Sequence, residues 1–269
     1  MAIPPPLPHA TLHAKDLHDL QQAKALLENP GLAVRLANLV GAPIEKGFKL
    51  LPQGWSTAVH SAARKALMRA MDVAVASLGK RAKPIASEKF HKVLVGASGG
   101  LGGAFGLAAL PIELPVSTTF MLRSIADIAR SEGHDLRSVS VKLACLEVFA
   151  LGGSSKSDDA SESGYWAIRA ALGKAISEAA SYVAERGVLE RSAPAVVRFI
   201  TAVGARFGVI VSEQVAAKAV PVIGAASGSV INILFMEHFQ NMARGHFIVK
   251  RLEAKYGVAR IREAYEQLA

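Results

Sequence analysis

An all-α fold is predicted by three features of the chain. Apolar residues recur at i, i+3 and i+4 in one segment after another, the period of a helix face. Stretches rich in β-branched residues, such as Val220-Pro-Val-Ile223, are short and isolated, with no alternation of strands and helices between them. The apolar content is high, 51% of 269 residues, yet aromatics make up 6%, so it is carried mostly by Ala, Val, Leu and Ile. Small apolar side chains suit closely packed helices, and a chain of this length can bury a sizeable core.

The elements follow in order. Residues 1–18 read as a flexible arm, because Met1-Ala-Ile-Pro-Pro-Pro-Leu-Pro8 favours an extended backbone. Residues 19–269 read as a single helical domain, a compact bundle. A first helix begins at Asp19 and stops at Asn29-Pro30-Gly31. Segments 32–40 and 43–51 follow, then a longer helix over 56–78 with Val59, Ala63, Ala66, Leu67, Ala70, Val73 and Ala74 on one side. After the loop at 79–84, the run 93–122 carries one charge, Glu113, and six glycines in its first half. Pro111 and Pro115 predict a break over 110–115, since proline disfavours helical geometry in the residue before it. Helices are then expected over 118–131, ending at Gly133, over 139–151, and over 161–186. Pro194 suits a helix first turn, opening a helix over 195–206, with another running to Ala219. The last two cover 224–254 and 258–268.

The glycines admit two readings. As a helix, the run 93–110 pairs Gly96 with Gly100, Gly99 with Gly103 and Gly102 with Gly106, a small-residue face that lets a partner helix approach closely. Gly204/Gly208 and Gly224/Gly228 repeat the spacing. The 18 uncharged residues between Lys218 and Glu237 make a second apolar stretch. Each would be ~27 Å long as a helix, close to the ~30 Å core of a bilayer. A buried, proline-broken hairpin, 93–122 packed against 224–247, is the reading preferred over membrane spans. The second reading takes Gly96-Ala-Ser98-Gly-Gly100 as the Gly-x-Ser-x-Gly elbow of a hydrolase. Ser98 would be the nucleophile, with His134 (or His238 or His246) as base and Asp135 or Glu113 to orient it. That fold needs a parallel sheet, whose other strands are missing, so Ser98 is expected instead to be a small residue on a packing face.

Other chemistry is thinly marked. No Gly-Lys-Ser/Thr ending makes the glycine run a phosphate loop, and no cofactor is expected. His238 and His246 share a helix face without the His-Glu-x-x-His spacing, so a hydrogen-bonded polar cluster is expected there rather than a metal site. Glu113 needs a partner if buried, and Arg123 is the candidate. Asn232, between Ile231 and Ile233, suggests another buried hydrogen bond. The lone cysteine, Cys145, excludes an internal disulfide and reads as a small buried hydrophobe.

The net charge is +9, with a pI near 9.8. Arg64, Lys65, Arg69, Lys80, Arg81, Lys83, Lys89 and Lys92 concentrate in one stretch, interleaved with a single aromatic, Phe90. Single-strand nucleic-acid binding needs stacking aromatics, so solvated helix faces or an anionic membrane surface fit better. The N-terminus has no signal-peptide pattern, which predicts a cytoplasmic protein, peripheral at the inner membrane face.

Four blocks of residues together resemble the EcsC family of bacterial proteins. They are Gly96-x-x-Gly-Gly-x-Gly-Gly103; Glu113-Leu-Pro115 with Thr118, Thr119, Leu122-Arg-Ser-Ile-Ala126 and Gly133-His-Asp135; Cys145-Leu-x-Val-Phe-Ala-Leu151; and Val220-Pro-Val-Ile-Gly-Ala225 with Asn232, Phe235, Ala243-x-Gly-His-Phe247 and Leu252-Glu-x-x-Tyr-Gly257. The family is named after a gene beside those of an ATP-driven (ABC) transporter linked to protein secretion. The resemblance therefore implies a helical, membrane-connected accessory protein whose partner is the membrane or a membrane protein. It carries over no catalytic residues.

Overall fold

The computed structural model describes residues 12–28, 32–41, 43–77, 110–153, 164–186, 193–220 and 226–268. Among them are ten α-helices and no strand. The helices are α1 (Ala14–Glu28), α2 (Leu32–Val40), α3 (Ile44–Lys49), α4 (Trp55–Ser77), α5 (Leu110–Ser131), α6 (Val139–Glu147), α7 (Gly164–Arg186), α8 (Pro194–Ala219), α9 (Ala226–Tyr256) and α10 (Val258–Gln267). A 3-10 turn, Val148–Ala150, continues α6.

Two long helices organise the bundle. α8 packs against α2, α3, α4, α7, α9 and the 3-10 turn, while α9 packs against α1, α2, α5, α8 and α10. α4 lies between α5 and α8. One hydrophobic cluster draws on every helix. At its centre Phe149 meets Phe207 and Phe239 at 5.1 and 5.2 Å between ring centres, and Phe235 meets Phe239 at 5.1 Å. Such tilted and edge-on pairs suit the ring quadrupoles. Cys145, in α6, is fully buried, and burial pushes its thiol up to about 12.

Helix α4 buries Val59, Ala63, Ala66, Leu67, Ala70 and Ala74, the face that the spacing predicts. Its close approach to α8 uses a notch. A Cβ on Gly208 would collide with the His60 ring, and one on Gly204 would reach Leu67 at 3.6 Å. α8 begins with Pro194 at N1 and ends where Val220 turns extended before a proline. It is one helix of 26 residues where the sequence suggests two; buried Val203, Gly204, Phe207, Gly208, Ile210 and Val211 carry the periodicity across the expected junction.

Three further boundaries differ from expectation. α1 starts at Ala14, inside the proposed arm, because Asp16 is buried and its Oδ2 accepts from Lys255 Nζ (2.7 Å) and the Tyr256 hydroxyl (2.6 Å). The break at 110–115 is absent. α5 runs through it, since Pro111 sits in a first turn whose N–H groups lack helical partners anyway, and Pro115 forfeits one backbone bond. Buried Leu110 and Leu114 anchor that turn, and the Thr119 hydroxyl donates to the Pro115 carbonyl at 2.8 Å. The uncharged stretch 219–236 is not one helix, because Val220 is extended and α9 begins at Ala226. Gly224 of the expected Gly224/Gly228 packing pair lies outside the described residues. Of the two, Gly228 alone stands among the described helical residues, in the first turn of α9 and two residues before Val230, which is 40% exposed.

At the far end of α5, Gly133 has φ +87°. His134 N–H bonds the Ala129 carbonyl and Gly133 N–H bonds that of Arg130, both at 3.0 Å. This Schellman closure turns His134 back toward α9.

Candidate functional site

A groove of about 860 Å³ opens between α4 and α5. Its α4 wall carries Ser61, Arg64, Lys65, Met68, Arg69 and Asp72, and its α5 wall carries Pro111, Ile112, Pro115 and Val116. The walls differ in chemistry. Arg64, Lys65 and Arg69 are exposed, and none forms an ion pair among the described residues. Opposite them Ile112 is 76% exposed and Val116 45% exposed, one helical turn apart. Large aliphatic side chains so exposed beside exposed cations form an amphipathic surface.

Behind the apolar wall lies a buried polar chain. Glu113 Oε1 accepts from Lys218 Nζ and from Asn232 Nδ2, each at 3.0 Å, and Asn232 Oδ1 accepts from Gln214 Nε2 at 2.8 Å. Gln214 and Lys218 are one turn apart on α8, so the chain ties α5, α8 and α9 together. The Glu113–Arg123 pair expected from sequence does not form. The two residues are ten positions apart on one helix, ~15 Å along its axis, and Arg123 is exposed. Lys218, distant in sequence, takes the role.

A second cluster surrounds His246, which is fully buried. Its Nδ1 lies 3.1 Å from the Tyr165 hydroxyl and its Nε2 3.5 Å from Glu147 Oε2. Arg169 holds Glu253 with two bonds, at 2.6 and 3.0 Å, and its guanidinium lies 4.9 Å from the Trp166 ring centre. Burial raises the Glu147 pKa against the Lys250 and Arg169 charges, and it depresses that of His246 well below the usual imidazole range, where the same charges add to it. Both shifts favour the neutral forms, and a neutral His246 makes the contact no ion pair. Sequence reasoning missed Glu147, Tyr165, Arg169 and Glu253. Glu147 carries the signal that marked Glu113, a lone charge in the apolar run 143–153.

His238 is also buried, against Gly152, where a Cβ would strike its ring. Burial pulls its imidazole down to about 4, against a backbone hydrogen bond with Leu151. His134 Nε2 lies 3.0 Å from the Phe247 carbonyl, with the rings 5.0 Å apart. Asp135, its proposed orienting partner, is instead engaged by Arg137 Nε and Nη2 at 3.0 Å each. No group of three or more metal-ligating side chains gathers among the described residues.

Ser98 and Gly96, Gly99, Gly100, Gly102, Gly103, Gly106 and Gly224 lie outside the described residues, as do Lys80, Arg81, Lys83, Lys89 and Lys92. So does the first half of the expected hairpin. Gly228 is placed by its backbone alone, at the start of α9. The described part of 93–122 packs as expected against 224–247, though without the proline break: α5 packs on α9, where Asn232 Nδ2 donates to Glu113 Oε1. One described helix, α8, is long and apolar enough to cross a bilayer, and 61% of its apolar window is buried inside the fold.

The blocks that suggest a family thus converge on α9. Asn232 reaches Glu113, the Phe247 carbonyl meets His134, and His246 faces Glu147. The family model for the EcsC protein family matches residues 14–252. The chain belongs to the EcsC protein family. No curated protein and no solved structure matches it. The family match opens at Ala14, the first residue of α1, and ends at Leu252, in the last turns of α9. It therefore covers α8, most of α9 and both walls of the groove in this EcsC protein.

Proposed function

We propose that this EcsC protein is a non-enzymatic, membrane-connected accessory protein, cytoplasmic and peripheral, whose α4–α5 face meets anionic lipid. The observation that carries this reading is the strip of exposed cations, Arg64, Lys65 and Arg69, beside exposed Ile112 and Val116. Cations near an anionic surface are worth about 1 kcal/mol each, and exposed aliphatic side chains gain from leaving water at the same boundary. The net charge of +9 favours the same partner. A membrane protein, an ABC transporter first, is the further partner that the family resemblance suggests.

Flotation with liposomes tests the reading. The protein is expected to float with vesicles containing anionic lipid at low salt, and to stay at the bottom with neutral vesicles or at high salt. Flotation that resists salt would replace surface contact with insertion. Absence of flotation under every condition would remove direct lipid binding.

A further inference from the structure

We propose that the α4–α5 groove seats a single anionic amphiphile, a membrane lipid of the phosphate-headed class. The headgroup lies on Arg64, Lys65 and Arg69, and an acyl chain runs along Pro111, Ile112, Pro115 and Val116. The proposal rests on the lipid-contact reading and deepens it, from a charged surface to a site with one occupant.

Three observations carry it. First, the groove's about 860 Å³ falls within the range of small-ligand pockets, ~300–1,000 Å³. A plain electrostatic contact needs no such concavity. Second, its polarity is divided between walls. The three cations all stand on α4, while the α5 wall is wholly apolar, two prolines and two aliphatic residues. A phosphate-headed amphiphile has that division; a free phosphate has no use for the second wall, and a neutral detergent none for the first. Third, the apolar wall is rigid. Glu113, between Ile112 and Leu114, is fixed by Lys218 and Asn232, and Leu114 is buried, so the first turns of α5 present Ile112 and Val116 outward. A preformed wall avoids the ordering cost of binding. Asp72, at one end of the cation strip, leaves the lining with three positive charges and one negative.

The experiment is calorimetric titration of the full chain with dodecyl phosphate below its micellar concentration. Butyl phosphate and dodecyl maltoside serve as head-only and tail-only controls. Dodecyl phosphate is expected to bind one to one. Burying even three more methylenes at ~0.8 kcal/mol each makes it about 50-fold tighter than butyl phosphate, and dodecyl maltoside is expected not to bind. Replacing Arg64, Lys65 and Arg69 together by Gln should weaken binding on the order of 100-fold. The double variant I112S/V116S should bring dodecyl phosphate down toward the butyl phosphate affinity and leave the latter unchanged. All five positions are exposed, and circular dichroism of each variant should match the parent.

Equal affinity for the two phosphates, or dodecyl phosphate binding unaltered in I112S/V116S, overturns the proposal. So does binding at many equivalents, which marks detergent adsorption. Flotation on anionic vesicles without dodecyl phosphate binding overturns the groove and leaves the surface reading standing. One-to-one binding without flotation does the reverse.

Discussion

Removing the Glu113 carboxylate should destabilise the protein by ~2–3 kcal/mol, a magnitude that follows from the burial of its partners. In Glu113→Ala, Asn232, 1% exposed, keeps its bond to Gln214 but loses an acceptor for Nδ2. A buried donor stranded in this way costs ~1–3 kcal/mol. Lys218 loses less, because its side chain is 18% exposed and its ammonium can turn to water; that part is ~0–1 kcal/mol. Glu113→Gln retains an acceptor oxygen for both donors and gives up only the charge, so it should cost ~1 kcal/mol. Urea unfolding followed by circular dichroism measures both variants, with the midpoint shifting and the slope unchanged. Combining Glu113→Ala with Lys218→Met should show a coupling of ~0.5–1 kcal/mol. The reasoning fails if Glu113→Ala lies within ~0.5 kcal/mol of the parent, or if Glu113→Gln is equally damaging. Either result would mean that the acceptor is dispensable and that Leu110 and Leu114 alone hold the first turns of α5.

The buried histidine sets an acid dependence. His238 is held at about 4 in the folded state against 6.5 unfolded, so between these values the unfolded chain binds the extra proton and stability falls as pH falls. The loss amounts to ~3 kcal/mol over that window, with a plateau below it. Comparing the stability-versus-pH curves of the parent and His238→Gln isolates the slope, and parallel curves would refute it. At the α4–α8 contact, Gly208→Ala should cost ~1–3 kcal/mol through overpacking against His60. Adding His60→Ala should recover more than half of that loss in a thermal melt, whereas additive losses would show that the ring does not fill the notch.

Local pattern carried most of the secondary structure. The α4 face was readable because a period of 3.6 with alanines and leucines needs no tertiary information, and Gly133 and Pro194 mark helix ends by their own backbone chemistry. The failures occurred where tertiary contacts outweigh a local rule. Proline's penalty on the residues before it was real, but burial of Leu110 and Leu114 and the anchoring of Glu113 outweighed it. Glu113 could be flagged as a carboxylate that needs a partner, but the partner's identity could not, because Lys218 lies 105 positions away and only the packing of α5 and α8 on α4 and α9 brings them together. The groove was illegible for a similar reason. Arg64, Lys65 and Arg69 were visible as charge, and Ile112 and Val116 looked like more core; their exposure follows from the rotation of α5 that Glu113 and Leu114 impose.

The same facts explain why an apolar chain points to surface contact. A mean hydropathy of +0.29 invites a search for membrane spans. Yet α8, the one described helix that passes on length and composition, packs against α2, α3, α4, α7 and α9, with 61% of its apolar window buried. On the side that meets α4 its glycines accept His60 and Leu67, so lipid would have to displace them to reach that face. Inserting α8 would strip the Phe207 cluster and pull Lys218 from Glu113. The α4–α5 face requires no such rearrangement, because its aliphatic and cationic side chains already stand in solvent. Contact by that face leaves the core intact and depends on screened charge, which is why salt sensitivity, rather than flotation alone, separates it from insertion.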